Sequence, residues 1–93
     1  MPQYIIERNI PGISKVGYEQ YKQIAKKSNS VLAEMNDEGK DVVWHHSYVA
    51  GDKIYCVYDA PSVEAVREHA KRGSFPADLI VEVTEVMTAA TGQ

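Results

Sequence analysis

The first apolar run, Gln3 to Asn9, is rich in Tyr and Ile and is stopped by Pro11-Gly12, a pattern that predicts a strand closed by a turn. From Ser14 to about Met35, residues Val16, Tyr21, Ile24, Ala25, Val31, Leu32 and Met35 recur at spacings of three and four, which marks one face of a helix. Ser28-Asn29-Ser30 is a weak spot in that helix, because these side chains compete for the backbone, and the run Asn36 to Lys40 supplies its stop. Asp41 to Val49 and Lys53 to Tyr58, separated by Ala50-Gly51-Asp52, predict a hairpin. Pro61 suits a first helical turn preceded by Asp59 or Ala60; Val63, Val66 and Ala70 form a short stripe, and Gly73 ends this second helix. Asp78 to Val86 carries Leu79, Ile80, Val81, Val83 and Val86 and predicts a largely buried last strand, followed by a frayed tail from Thr88 to Gln93.

The order strand, helix, strand, strand, helix, strand is that of the ferredoxin-like, split β-α-β arrangement of the α+β class. Right-handed crossovers put both helices on one face of a four-stranded antiparallel sheet and leave the other face uncovered. Self-association is the usual solution, so a homodimer is expected.

Ninety-three residues with 44% hydrophobic content suit one domain spanning residues 1–93, since a chain of this size buries roughly two-thirds of its unfolded surface in one core. The net charge of -3 argues against nucleic acid, which needs a basic surface; Lys22, Lys26 and Lys27, and Arg67, Lys71 and Arg72, are scattered among acids and read as solvated helix faces. One cysteine makes no internal disulfide and no CxxC pair is present, so nothing requires an oxidising compartment and a cytoplasmic location is expected. No basic start followed by a long apolar run exists, and no run approaches the ~20 residues of a membrane span.

The three histidines, His45, His46 and His69, fall in one short stretch with Cys56. His45 and His46 are neighbours on a strand, so one unbroken strand sends them to opposite faces of the sheet. A three-residue hairpin loop pairs His46 with Cys56, whereas a two-residue loop pairs Ser47 with it, and sequence leaves both registers open. His69 follows Val66 by three residues, at the edge of the apolar stripe, open to sheet or solvent; Glu68 beside it faces outward. Imidazoles and carboxylates are what nickel or copper accept, although no His-x-x-x-His or Glu-x-x-His stands on a helix. Ordinary strand and helix-edge histidines and a buried cysteine account for the same residues. Pairing Cys56 with His46 or His69, or Ser47 with His45, sketches a covalent enzyme, but the Gly-x-Ser-x-Gly elbow is absent. A pocket lined by Tyr4, Tyr48, Tyr55, Tyr58, Trp44 and His46 is the remaining alternative, as in a small dimeric enzyme or ligand binder with an enclosed aromatic cavity.

Several segments together resemble one known family: Tyr4-Ile-Ile-Glu7-Arg8 with Ile10-Pro11-Gly12; Trp44-His45-His46-Ser47-Tyr48-Val49; Asp52-Lys53-Ile54-Tyr55-Cys56-Val57-Tyr58; Ala60-Pro61; Val66-Arg67-Glu68-His69-Ala70; and Gly73 with Phe75-Pro76-Ala77. The family consists of small ferredoxin-like proteins, formerly without assigned function, for which nickel binding at the surface of a homodimer has been proposed. Ser74, between Gly73 and Phe75, departs from its tighter glycine-phenylalanine-proline run. The resemblance implies a non-enzymatic homodimer that binds or sequesters a divalent transition metal, nickel first. It points to His46 and His69 as ligands; Glu68, Cys56, His45 and Glu7 are further candidates on their own donor chemistry.

Overall fold

The computed structural model describes all 93 residues. Strand β1 (Gln3–Asn9) runs antiparallel to β3 (Lys53–Asp59) on one side and β4 (Leu79–Glu82) on the other, while β2 (Val43–Ala50) pairs with β3 at the opposite edge, giving the order β2-β3-β1-β4. Helix α1 (Tyr18–Asp37) joins β1 to β2 and α2 (Val63–Gly73) joins β3 to β4. This is the ferredoxin-like α+β sandwich, a four-stranded antiparallel sheet with two helices on one face.

Side chains alternate across the strands, and that alternation divides the sheet into two unlike faces. Tyr4 and Ile6 of β1 and Ile54, Cys56 and Tyr58 of β3 point inward, where they join Leu32 and Met35 of α1 and Ala65 and Val66 of α2 in one hydrophobic core. Residues between them, including Ile5, Glu7, Tyr55 and Val57, lie on the face that carries no helix. Among the exposed large apolar residues are Ile5, Val43, Tyr48, Leu79 and Val81, contributed by three of the four strands.

Local chemistry sets the ends of the helices. Ile13–Lys15 forms a 3-10 turn, and Gly17, at φ +90°, breaks the chain before α1, so the predicted start at Ser14 is displaced to Tyr18. At the other end Gly39 takes φ +81°, and its N–H donates to the Asn36 carbonyl. The Asn36 side chain then accepts from the Val42 N–H at 2.8 Å and donates to the Val42 carbonyl at 3.0 Å, which fixes the approach to β2. Helix α2 is capped by Ser62, whose hydroxyl accepts from the Ala65 N–H, so Pro61 lies before the cap and not in the first turn.

Two further expectations change. The last strand is only Leu79–Glu82, an edge strand in which Ile80 alone is half-buried, because the sheet covers its residues on one face only. The tail folds into an exposed 3-10 turn, Ala89–Gly92, capped by Thr88 and Thr91, where fraying was expected.

Candidate functional site

The hairpin resolves the open register. Ala50 pairs with Lys53, so the loop is the two residues Gly51-Asp52, and Ser47 stands opposite Cys56. Trp44 pairs with Tyr58 and His46 with Val57, which leaves His45 as the extra residue of a β-bulge. The strand is therefore not unbroken, and the expectation that the two histidines leave opposite faces does not hold. Trp44 and Ser47, three apart, share the inner face and are joined by a bond from Trp44 Nε1 to Ser47 Oγ of 2.9 Å. Both histidines are exposed. His45 Nε2 lies 2.8 Å from Asp59 Oδ2, while the His46 ring meets Tyr48 edge-on at 5.1 Å between centroids. Asp59 and Tyr48 both belong to the helix-free face, by alternation with Val57 and Tyr55.

His69 sits elsewhere. It is 1% exposed, on the inner side of α2, with Nε2 at 3.1 Å from Ser28 Oγ and its ring against Tyr58 and Phe75. Burial first, and the positive charge of Arg8 second, push its pKa down to about 4, with a hydrogen bond to Ser28 working the other way; the ring is neutral at physiological pH. Its Nδ1 has no partner. Ser28 Oγ also lies 3.5 Å from the Tyr58 hydroxyl, so the three form one buried polar cluster. The Ser28–His69 contact has the outline of a nucleophile and base, but no carboxylate orients the ring, and a group titrating near 4 is a weak base at neutral pH.

Glu68 faces outward, as expected, in an ion cluster with Lys40 and Arg72 that also takes in Glu34 and Glu38. The bonds to Arg72 and Lys40 hold the Glu38 carboxyl down at about 2 and lower that of Glu68 as well, Lys40 being the main cause there. Glu7, on the helix-free face, pairs with Lys53 at 3.2 Å. Cys56 is buried and free, and lies 3.4 Å from Arg8 Nε.

The six candidate ligands thus divide among three places: His45, His46 and Glu7 on the open sheet face, Cys56 and His69 in the interior, and Glu68 on the outside of α2. No group of three or more His, Cys, Asp and Glu side chains converges as a metal cage. The proposed aromatic lining divides too. Trp44 and Tyr58 border a cavity of about 210 Å³ between the sheet and α1, with Tyr21 and Phe75. Tyr48, Tyr55 and His46 lie on the other side of the sheet, and Tyr4 is packed in the core.

Comparison with known proteins places these features in a lineage. The profile described as nickel responsive protein SCO4226-like matches residues 4–83. The chain belongs to the SCO4226-like family. No curated protein matches it. Among solved structures, that of SCO4226 from Streptomyces coelicolor A3(2) is similar, with a TM-score of 0.74 and 23% identity over 91% of this chain and 99% of that one; at this identity the likeness is one of fold. The family match spans every strand and both main helices of the SCO4226-like chain. No helix is long and apolar enough to cross a membrane.

Two residues that sequence reasoning passed over emerge in this member of the family. Asp59 holds His45, and strand period alone aligns it with Tyr55 and Val57 on the open face. Arg8 follows Tyr4 and Ile6 at inward positions of β1, so the same period of two places a cation inside.

Proposed function

We propose that this protein binds a divalent transition metal, nickel first, as a non-enzymatic homodimer, and that His45 and His46 supply the imidazoles. Membership of a family described as nickel responsive is the observation that carries the reading. The geometry supports a site on the open face. His45 Nε2 lies 2.8 Å from Asp59 Oδ2, so the carboxylate supports the ring on that side and Nδ1 is the nitrogen left for a metal, as in carboxylate-supported imidazoles at metal centres. His46 is exposed on the neighbouring residue.

A nickel ion takes roughly four to six donors in square or octahedral arrangements, more than one copy gathers here. The residues fit part of a coordination shell. A second copy would complete it, and the apolar side chains of the same face, Ile5, Tyr48, Leu79 and Val81, favour covering by a partner. His69, neutral and enclosed, serves in this reading as a core residue. Modest affinity is expected of ligands so open to water.

Calorimetric titration of nickel into tag-free protein, with zinc and magnesium as comparators, tests this. Micromolar binding that prefers nickel, falls in His45→Ala and His46→Ala, and persists in His69→Gln is the expected result. Weak, unselective binding that survives both surface substitutions overturns it. Light scattering of the eluting protein then reports whether the particle is a dimer.

A further inference from the structure

Arg8 is 3% exposed, yet it belongs to none of the ion pairs in the structure. Its Nη1 donates to the Pro76 carbonyl at 2.6 Å, its Nε lies at 3.4 Å from Cys56 Sγ, and its guanidinium carbon stands 5.4 Å from the centre of the Phe75 ring. Nη2 is buried and has no acceptor at all. A guanidinium taken out of water with no opposing charge is expensive, and proteins rarely keep one without a use for it.

The surroundings indicate the use. Arg8 lines the cavity of about 210 Å³, and ten of the thirteen lining residues are hydrophobic. The other two are Ser28 and Ser47, and Tyr21 and Tyr58 carry phenol hydroxyls, so the wall contains a cation and hydroxyl groups but no carboxylate. Ser47 Oγ accepts from Trp44, which leaves its own proton to donate. It stands opposite Cys56, the residue whose sulfur touches Arg8.

We propose that this cavity is a binding site for a small monocarboxylate with a flat apolar body, its carboxylate accepting from Arg8 and its body lying against Trp44, Tyr58 and Phe75. A cavity of roughly 150 Å³ already admits benzene, so the present one has room for a ring and its acid group. One buried positive charge matches one negative charge. The planar fork of a guanidinium suits a carboxylate, whereas inorganic phosphate would leave most of its oxygens facing apolar walls. The site lies on the opposite side of the sheet from His45 and His46 and does not rest on metal binding.

The test uses the full chain in chelator, so that metal plays no part, and follows binding by calorimetry and by the fluorescence of Trp44. Benzoate and phenylacetate are compared with benzyl alcohol, benzylamine and inorganic phosphate. The aromatic acids are expected to bind saturably, with the alcohol about tenfold or more weaker and the amine and phosphate inert. Arg8→Met should abolish the preference for the acid. Ala25→Leu, which narrows the cavity from α1 and leaves Arg8 in the chain, should weaken acid binding even if the arginine variant fails to fold. Equal affinity for acid and alcohol, phosphate binding as tight as benzoate, no binding of either acid, or binding indifferent to both substitutions each overturns the proposal.

Discussion

Mild acid should loosen the protein through His69. The free imidazole titrates near 6.5 and the buried one near 4, so between those values the unfolded chain binds a proton that the folded chain does not. Stability is then fully present above about pH 6.5 and drains away as the pH falls toward 4. At about 1.4 kcal/mol for each pH unit separating the two midpoints, the whole window is worth about 3 kcal/mol. By about pH 5, above the titration of ordinary carboxylates, about 2 kcal/mol of it should already be lost. Urea unfolding from about pH 7.5 to about pH 5 measures this, with His69→Gln as the neutral reference that lacks the slope. Ring-proton NMR of the wild type gives an independent reading, a midpoint near 4. Parallel stability curves for the two proteins, or a His69 midpoint near 6.5, would refute the account of a buried, uncharged ring.

Four other outcomes are expected. Ile6→Ala, at a position with no exposure in the centre of the sheet, should cost about 2–5 kcal/mol by urea unfolding. Gly73→Ala would drive its Cβ into the Phe75 ring, and the forced shift should cost about 1–3 kcal/mol, visible as a lower Tm. Arg72→Met should let the Glu38 carboxyl rise from about 2 toward its ordinary value of 4.5, followed by carbon NMR; that pair stabilises above the ordinary value and fades as the pH falls through the lowered one. If the open sheet face joins two copies, Val81→Lys should convert a dimer to a monomer in light scattering without unfolding it.

Regular features of the fold were legible because they rest on local pattern. Gln3–Asn9, the hairpin and the stop at Gly39 follow from strand period and turn chemistry. What escaped depended on distant partners. Ser28 and its neighbours read as a weak spot in α1, yet the helix runs through them, and Ser28 is a buried contact whose hydroxyl lies 3.1 Å from His69 Nε2. The side of α2 on which His69 falls was ambiguous by three-residue spacing, and packing against Tyr58 and Phe75 decided it. The candidate site suffered most from one residue of counting: without the bulge, the rule of alternation assigned His45 and His46 to different faces. Arg8 was readable as inward-facing, but a charged residue at an apolar position is easily taken for an edge residue until its burial is seen.

The bulge also bears on how the histidine pair could arise. Trp44 and His46 pair with successive residues of β3, so removing one histidine leaves every other partner in β2 where it is. Deleting either His45 or His46 yields the same polypeptide, and in it the remaining imidazole occupies a regular strand position. Duplication of a single histidine codon would therefore suffice to turn that plain strand into the present one, adding a second imidazole without re-registering the hairpin. The sheet tolerates the gain as a local kink, which makes this position one where new chemistry can be tried and discarded by single-codon insertions and deletions while the fold is inherited unchanged.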